Sequence, residues 1–273
     1  MNAQESIETN RRSEETARRN NTPDEILHAI DYQVYAALQL TRDAEAKKAI
    51  ERGEAEAARY ERNAGAYALA AGGARYAMER GDWTMAAQLK PRPSKFPYAD
   101  AVIHFARAIG AARSGNVEAA QKDVAQLARL RDELSKDAYW TGQVEVQRLG
   151  AQAWLELAQG KRAMALAFMQ QAADMEDLSE KATVTPGYIA PARELLGEML
   201  LELKQPAQAL KEFEASARHE PNRFRGLAGL ARAAAESGEG VKARGYYARL
   251  VELAGHGDAR PEVPRARIYL ARR

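Results

Sequence analysis

"RSGNVEAA" spans Arg113–Ala120, and a close variant, "ERGDWTMAA", spans Glu79–Ala87. Both put a charged helix end before a glycine, then a small capping side chain, then two alanines. Gly81 and Gly115 suit the left-handed residue that ends a helix. Asp82 and Asn116 can accept hydrogen bonds from the free N–H groups opening the next helix. Ala86 and Ala120, five residues past the glycines, fall where two antiparallel helices come closest. The phrase reads as the bend of a helical hairpin.

Working outward, the same bend recurs as "LTRDAEA" (Leu40–Ala46), "QGKRAMA" (Gln159–Ala165), "KQPAQA" (Lys204–Ala209) and "SGEGVKA" (Ser237–Ala243). The closing alanines, Ala46, Ala86, Ala120, Ala165, Ala209 and Ala243, are separated by 40, 34, 45, 44 and 34 residues. That spacing in a helical sequence implies stacked hairpins. The 44- and 45-residue intervals call for longer helices or connections. Pro91, Pro93 and Pro97 cut short the helix after Asp82, and "EKATVTP" (Glu180–Pro186) reads as an inserted loop.

Composition agrees. Hydrophobic residues are 46% and charged residues 29% of the 273, a globular balance. Alanine, leucine, glutamate, arginine and lysine favour helix, and period-two β-branched runs are nearly absent. The net charge of +2 comes from charges alternating in sign along the chain, without the basic block of a nucleic-acid binder. No cysteine is present, which excludes disulfides, thiolate nucleophiles and cysteine zinc sites. The longest apolar or glycine run, Ala64–Ala74, is far short of the roughly 20 residues that span a bilayer. The opening "MNAQESIETNRRSEETARR" lacks the apolar core of a signal peptide. The default expectation is therefore a cytoplasmic protein without membrane insertion.

In "ELLGEMLLELKQPAQALKEFEASARHEP", Leu196, Gly197, Leu200, Ala209, Phe213 and Pro221 hold fixed offsets, and Leu230, Ala231, Ala234, Ala243 and Tyr247 repeat the first five 34 residues on. These positions and residue types resemble the tetratricopeptide repeat. The match is good over about 190–252 and looser over 25–175. The phrases "LHAIDYQVYAALQL", "ARYAMERGDW", "HFARAIGAARSGN" and "PARELLGEMLLEL" are also similar to the second half of a group of bacterial tetratricopeptide-repeat proteins of unassigned role. The resemblance implies an all-α, right-handed α-solenoid of about six or seven antiparallel hairpins. Its parts are a leading helix within 1–22, unpaired or capping; divergent hairpins over 23–179; the inserted loop at 180–187; the two units closest to consensus at 188–255; and a capping helix at 261–273. The leading helix, Ala3–Arg19, resembles the second helix of a hairpin whose partner is missing, as in a short or truncated form; a truncated form would leave a periplasmic location open.

A stack of such hairpins curves, and its first helices line the hollow. Counting back from each bend at the repeat's spacing selects exposed groove positions. They are His28, Asp31 and Tyr35; Arg75; Phe105, Ile109 and Arg113; Glu145, Arg148 and Gln152; Glu194 and Glu198; Arg225 and Arg232. This mixed-sign surface suits an extended peptide or a helix. The expected function is a non-catalytic scaffold whose groove binds a protein or peptide, with no cofactor. Two alternatives remain open: a small-ligand or metal site near His28 and Asp31, and self-association through the first helix into a homo-oligomer.

Chemistry finds little support. None of His28, His104, His219 and His256 forms an H-x-x-x-H pair, so a metal at His28 and Asp31 needs ligands from another helix. Glu194 and Glu198 sit i, i+4, but acid–base work requires a desolvated carboxyl, and exposed glutamates are the expectation there. Neither a G-x-S-x-G elbow nor a P-loop occurs. Gly72 and Gly73 fall inside a helical pattern, where close helix contact explains them. Trp140 and Trp154 share a helix face and read as core. Without basic residues interleaved along one groove they make no platform for bases.

Overall fold

The computed structural model describes residues 3–59, 65–179, 185–255 and 257–272. These contain fourteen α-helices and no strand. In chain order they are α1 (Ala3–Arg19), α2 (Pro23–Gln39), α3 (Asp43–Ala57), α4 (Ala66–Glu79), α5 (Trp83–Ala87), α6 (Pro97–Arg113), α7 (Val117–Glu133), α8 (Ala138–Ala158), α9 (Arg162–Asp177), α10 (Ala192–Glu202), α11 (Pro206–His219), α12 (Phe224–Glu236), α13 (Gly240–Ala254) and α14 (Glu262–Ala271).

Consecutive helices pack as pairs. The even-numbered helices α2 to α12 also pack each on the next, forming one continuous row, and α3 to α13 cover its outer side. The leading helix α1 packs along α2 and buries Ile7 and Ala17. At the other end α14 packs on α13. Residues 180–184 of the expected inserted loop, His256 and Arg273 lie outside the described residues.

The bends follow the repeated phrase. Gly81, Gly115, Gly160 and Gly238 have φ of 63°, 82°, 79° and 82°, and Asp82 and Asn116 accept from the N–H groups of Met85 and Ala119. All six closing alanines are fully buried. At the two remaining bends Thr41 (φ 56°) and Lys204 (φ 61°) occupy the glycine position. Both lie five residues before a buried alanine. The geometry of the bend, not the glycine, is the repeating element.

Small residues set the closest approaches. A Cβ on Gly110 would stand 2.5 Å from the Ala87 nitrogen and 2.6 Å from the Trp83 carbonyl, so α5 lies directly against the α6 backbone. Phe213 is held between Gly197 and Gly229, where a Cβ would come within 2.7 Å and 2.3 Å of its ring. Gly72 leaves 3.3 Å to Ile50 and marks a close contact as expected, whereas Gly73 faces only the Leu89 side chain at 3.5 Å.

Candidate functional site

The groove residues expected to be exposed divide into three environments. Asp31, Arg75 and Glu194 are buried, with 2%, 0% and 3% of their surface accessible, and Phe105 and Ile109 are core. These expectations are corrected: Phe105 and Ile109 pack in the core, and Asp31, Arg75 and Glu194 are buried in ion pairs where the start of α12 and residues 257–260 meet the ends of α2, α3 and α4.

Three buried arginines make these pairs. Arg75 of α4 pairs with Asp31 of α2 and donates to the Gly187 carbonyl at 2.8 Å. Arg223, just before α12, pairs with Glu79 of α4 and with Glu194 of α10, the latter at 3.0 Å. Arg260 pairs with Asp43 of α3 and donates to the carbonyls of Glu79 and Leu38. Asp258 beside it accepts from the Ala44 nitrogen at 2.7 Å, a cap for α3 supplied from 214 residues away. Tyr35 lies between the Arg75 and Arg223 guanidiniums, 5.6 Å and 5.9 Å from its ring centre, and its hydroxyl donates to Glu220.

Burial dominates the electrostatics. It pushes the Tyr35 phenol up to about 12 and Asp31 upward against the pull of Arg75. It pushes Glu194 up to about 7, opposed by Arg223. Glu176 of α9 is pushed up to about 8, also by burial; its Oε1 accepts from the Ala192 nitrogen at 2.7 Å. The cavity beside Glu176 has a volume of about 20 Å³, room for one water, so this raised carboxyl has no space to act on a substrate.

The other expected residues are scattered. His28 packs on the Tyr32 ring at 4.9 Å, and the Asp31 carboxylate beside it is engaged by Arg75. Arg148 pairs with Glu145, which also binds Arg131 of α7, and Gln152 donates to Glu156 along its own helix.

Glu198, Arg225 and Arg232 do meet. With α14 as the far wall they line a pocket of about 360 Å³. Leu201, Phe213, Tyr247 and Leu250 supply its apolar surface. One side is a rigid charge ladder. Arg113 lies between the Trp83 and Trp154 rings at 3.9 Å and 4.0 Å, a doubled cation–π contact, and donates to Glu198 and Glu202. Arg225 binds the other oxygen of Glu198. Burial would raise Glu198, but Arg225 and Arg113 outweigh it and hold the carboxylate at about 2. The opposite wall is unmatched: Glu262 Oε2 is buried without a hydrogen-bond partner, and Arg265 makes no ion pair, among the described residues. Sequence reasoning missed this wall because the register of the bends does not extend to α14. It also missed Glu202, one turn beyond Glu198, and the part played by Tyr247, which it read only as a repeated packing position.

No protein-family model matches the chain, and no curated protein matches it in sequence. Among the described residues no three histidine, aspartate or glutamate side chains gather as a metal site, and no helix is long and apolar enough to cross a membrane.

Proposed function

We propose that the chain is a tetratricopeptide-type α-solenoid acting as a non-catalytic scaffold, and that it binds an extended peptide or protein segment in the pocket between α10, α12 and α14. The observation that carries this reading is the pocket's unequal walls. A prebuilt ladder of Arg113, Glu198 and Arg225 faces an unmatched acceptor on Glu262 and an unmatched donor on Arg265, over an apolar floor. An extended chain brings what these walls lack: N–H donors for Glu262, carbonyls or a carboxylate for Arg265, and an apolar side chain for the space beside Phe213 and Leu250. Because ion pairs and flanking indoles already order the ladder, little side-chain entropy is lost on binding.

The test is an affinity pull-down from native cells with the full chain, read by mass spectrometry against an Arg232→Ala/Arg265→Ala control. Both side chains are exposed, so the control keeps its helical circular dichroism. Proteins retained by the parent and lost from the control support the reading. Identical retention by both refutes it.

A further inference from the structure

The outer row contains one gap. Apart from α5, its helices have 14 to 17 residues, whereas α5 has five. The cause is local: a proline ring at position 91 would strike the carbonyl of residue 87, so the helix ends at Ala87. About ten residues of helix, roughly 15 Å at 1.5 Å per residue, are thus missing from the crevice between α4 and α6. The segment that follows fills it only in part. What is left is a cleft of about 790 Å³.

Its walls are suited to an apolar occupant. Leu69 and Gly73 of α4, Leu89, and Ile103 of α6 face it, and Met85 at its edge is 38% exposed. Adaptable methionine is common on surfaces that receive apolar helices. The rim carries charge of both signs: Glu54 on the α3 side, Lys90 and Arg92 on the segment after α5. None of these three makes an ion pair among the described residues.

We infer that this cleft is a docking site for an amphipathic helix of a partner protein, two to three turns long, which takes the place in the outer row that α5 leaves vacant. The occupant is specified by its surroundings. Elsewhere, the crevice between neighbouring even-numbered helices is covered by a helix lying along it, and the gap has room for two to three turns of one. Apolar residues at i, i+3, i+4 and i+7 meet Leu69, Leu89 and Ile103. An acidic side chain on one flank meets Lys90 and Arg92, and a basic one on the other meets Glu54. The site lies on the outer row and is independent of the inner pocket.

The probe is a displayed library of twelve-residue helical peptides panned on the full chain, with enriched peptides measured by fluorescence anisotropy. Three variants are compared: Gly73→Leu, which fills the cleft from a helix position with ordinary space around it; Met85→Glu, on an exposed residue; and Lys90→Glu/Arg92→Glu. The expected result is peptides with the apolar helical spacing and an acidic flank. Their affinity falls at least tenfold with either cleft variant and severalfold with the charge reversal, and is unchanged by Arg232→Ala/Arg265→Ala. If Gly73→Leu fails to fold, Met85→Glu decides. No enrichment, binding indifferent to the cleft variants, or loss only with the inner-pocket variant overturns the inference. So does a parent dimer in light scattering that Met85→Glu dissolves, since the occupant is then a second copy.

Discussion

Replacing Glu176 with glutamine should make the protein markedly more stable above neutral pH and by only about 1 kcal/mol at pH 5. Burial is the main cause of this carboxyl's shift to about 8 from its ordinary 4.5, with Asp177 and Glu194 adding like charge. Between those values the folded chain holds a proton that the unfolded chain releases. The stabilisation is therefore complete below about pH 4.5 and is lost as pH rises through about 8. At about 1.36 kcal/mol per pH unit, the loss is about 1 kcal/mol by pH 5 and about 4 kcal/mol by pH 7.5. Glutamine keeps the volume and the oxygen that accepts from Ala192 but has no proton to lose. Urea denaturation of parent and Glu176→Gln at pH 5 and 7.5 measures the difference. The parent should lose about 3 kcal/mol more than the variant across that interval. Glu194, raised to about 7, contributes a slope of the same sign to both proteins, and Glu198, held at about 2, matters only below pH 4.5. Parallel curves for parent and variant would refute the reasoning.

Three further outcomes follow from the packing. Gly110→Ala places a methyl against the backbone of α5 and should cost about 1–3 kcal/mol in chemical denaturation; an unchanged midpoint would mean that α5 does not lie on α6 there. Arg223→Met strands Glu79 and Glu194 in the interior and should cost about 3–5 kcal/mol, with much of it restored by adding Glu79→Gln and Glu194→Gln; no restoration would contradict the ion-pair assignment. Lys204→Gly relieves a left-handed backbone at an exposed bend and should raise stability by about 1 kcal/mol, seen as a higher melting temperature; a lower one would contradict that conformation.

The helical hairpins were legible because their signals are local. A glycine, a cap and a buried alanine lie within seven residues, and each has its own physical reason. The bends at Thr41 and Lys204 were legible from their closing alanines, but the left-handed residue in each was not, because neither carries glycine. Measuring five residues back from each buried alanine finds them both. The meeting of the first and last helices was not legible, since Arg260 meets Asp43 across 217 residues and leaves no periodic trace. A polar residue on an inner helix looks the same in sequence whether it faces solvent or a buried partner. One clue was present: in "AAGGARYAME" (Ala70–Glu79), Arg75 and Glu79 sit among alanines and glycines. Such a helix packs closely on every side, so its charges must be paired inside. The site suffered in consequence. Reading all inner polar positions as one exposed surface joined Asp31 and Glu194, which are buried in ion pairs, to Glu198, Arg225 and Arg232, which line the pocket.

Arg260, which leads into α14, the far wall of the inner pocket, is anchored on the first helices through buried charge. A double-mutant cycle on Asp43→Asn and Arg260→Met, followed by urea denaturation, measures that contact directly. The account predicts that the double variant is more stable than the sum of the single effects allows, with a coupling of about 1–3 kcal/mol between residues 217 positions apart. Strict additivity would mean that the ends do not touch and that α14 is not anchored there.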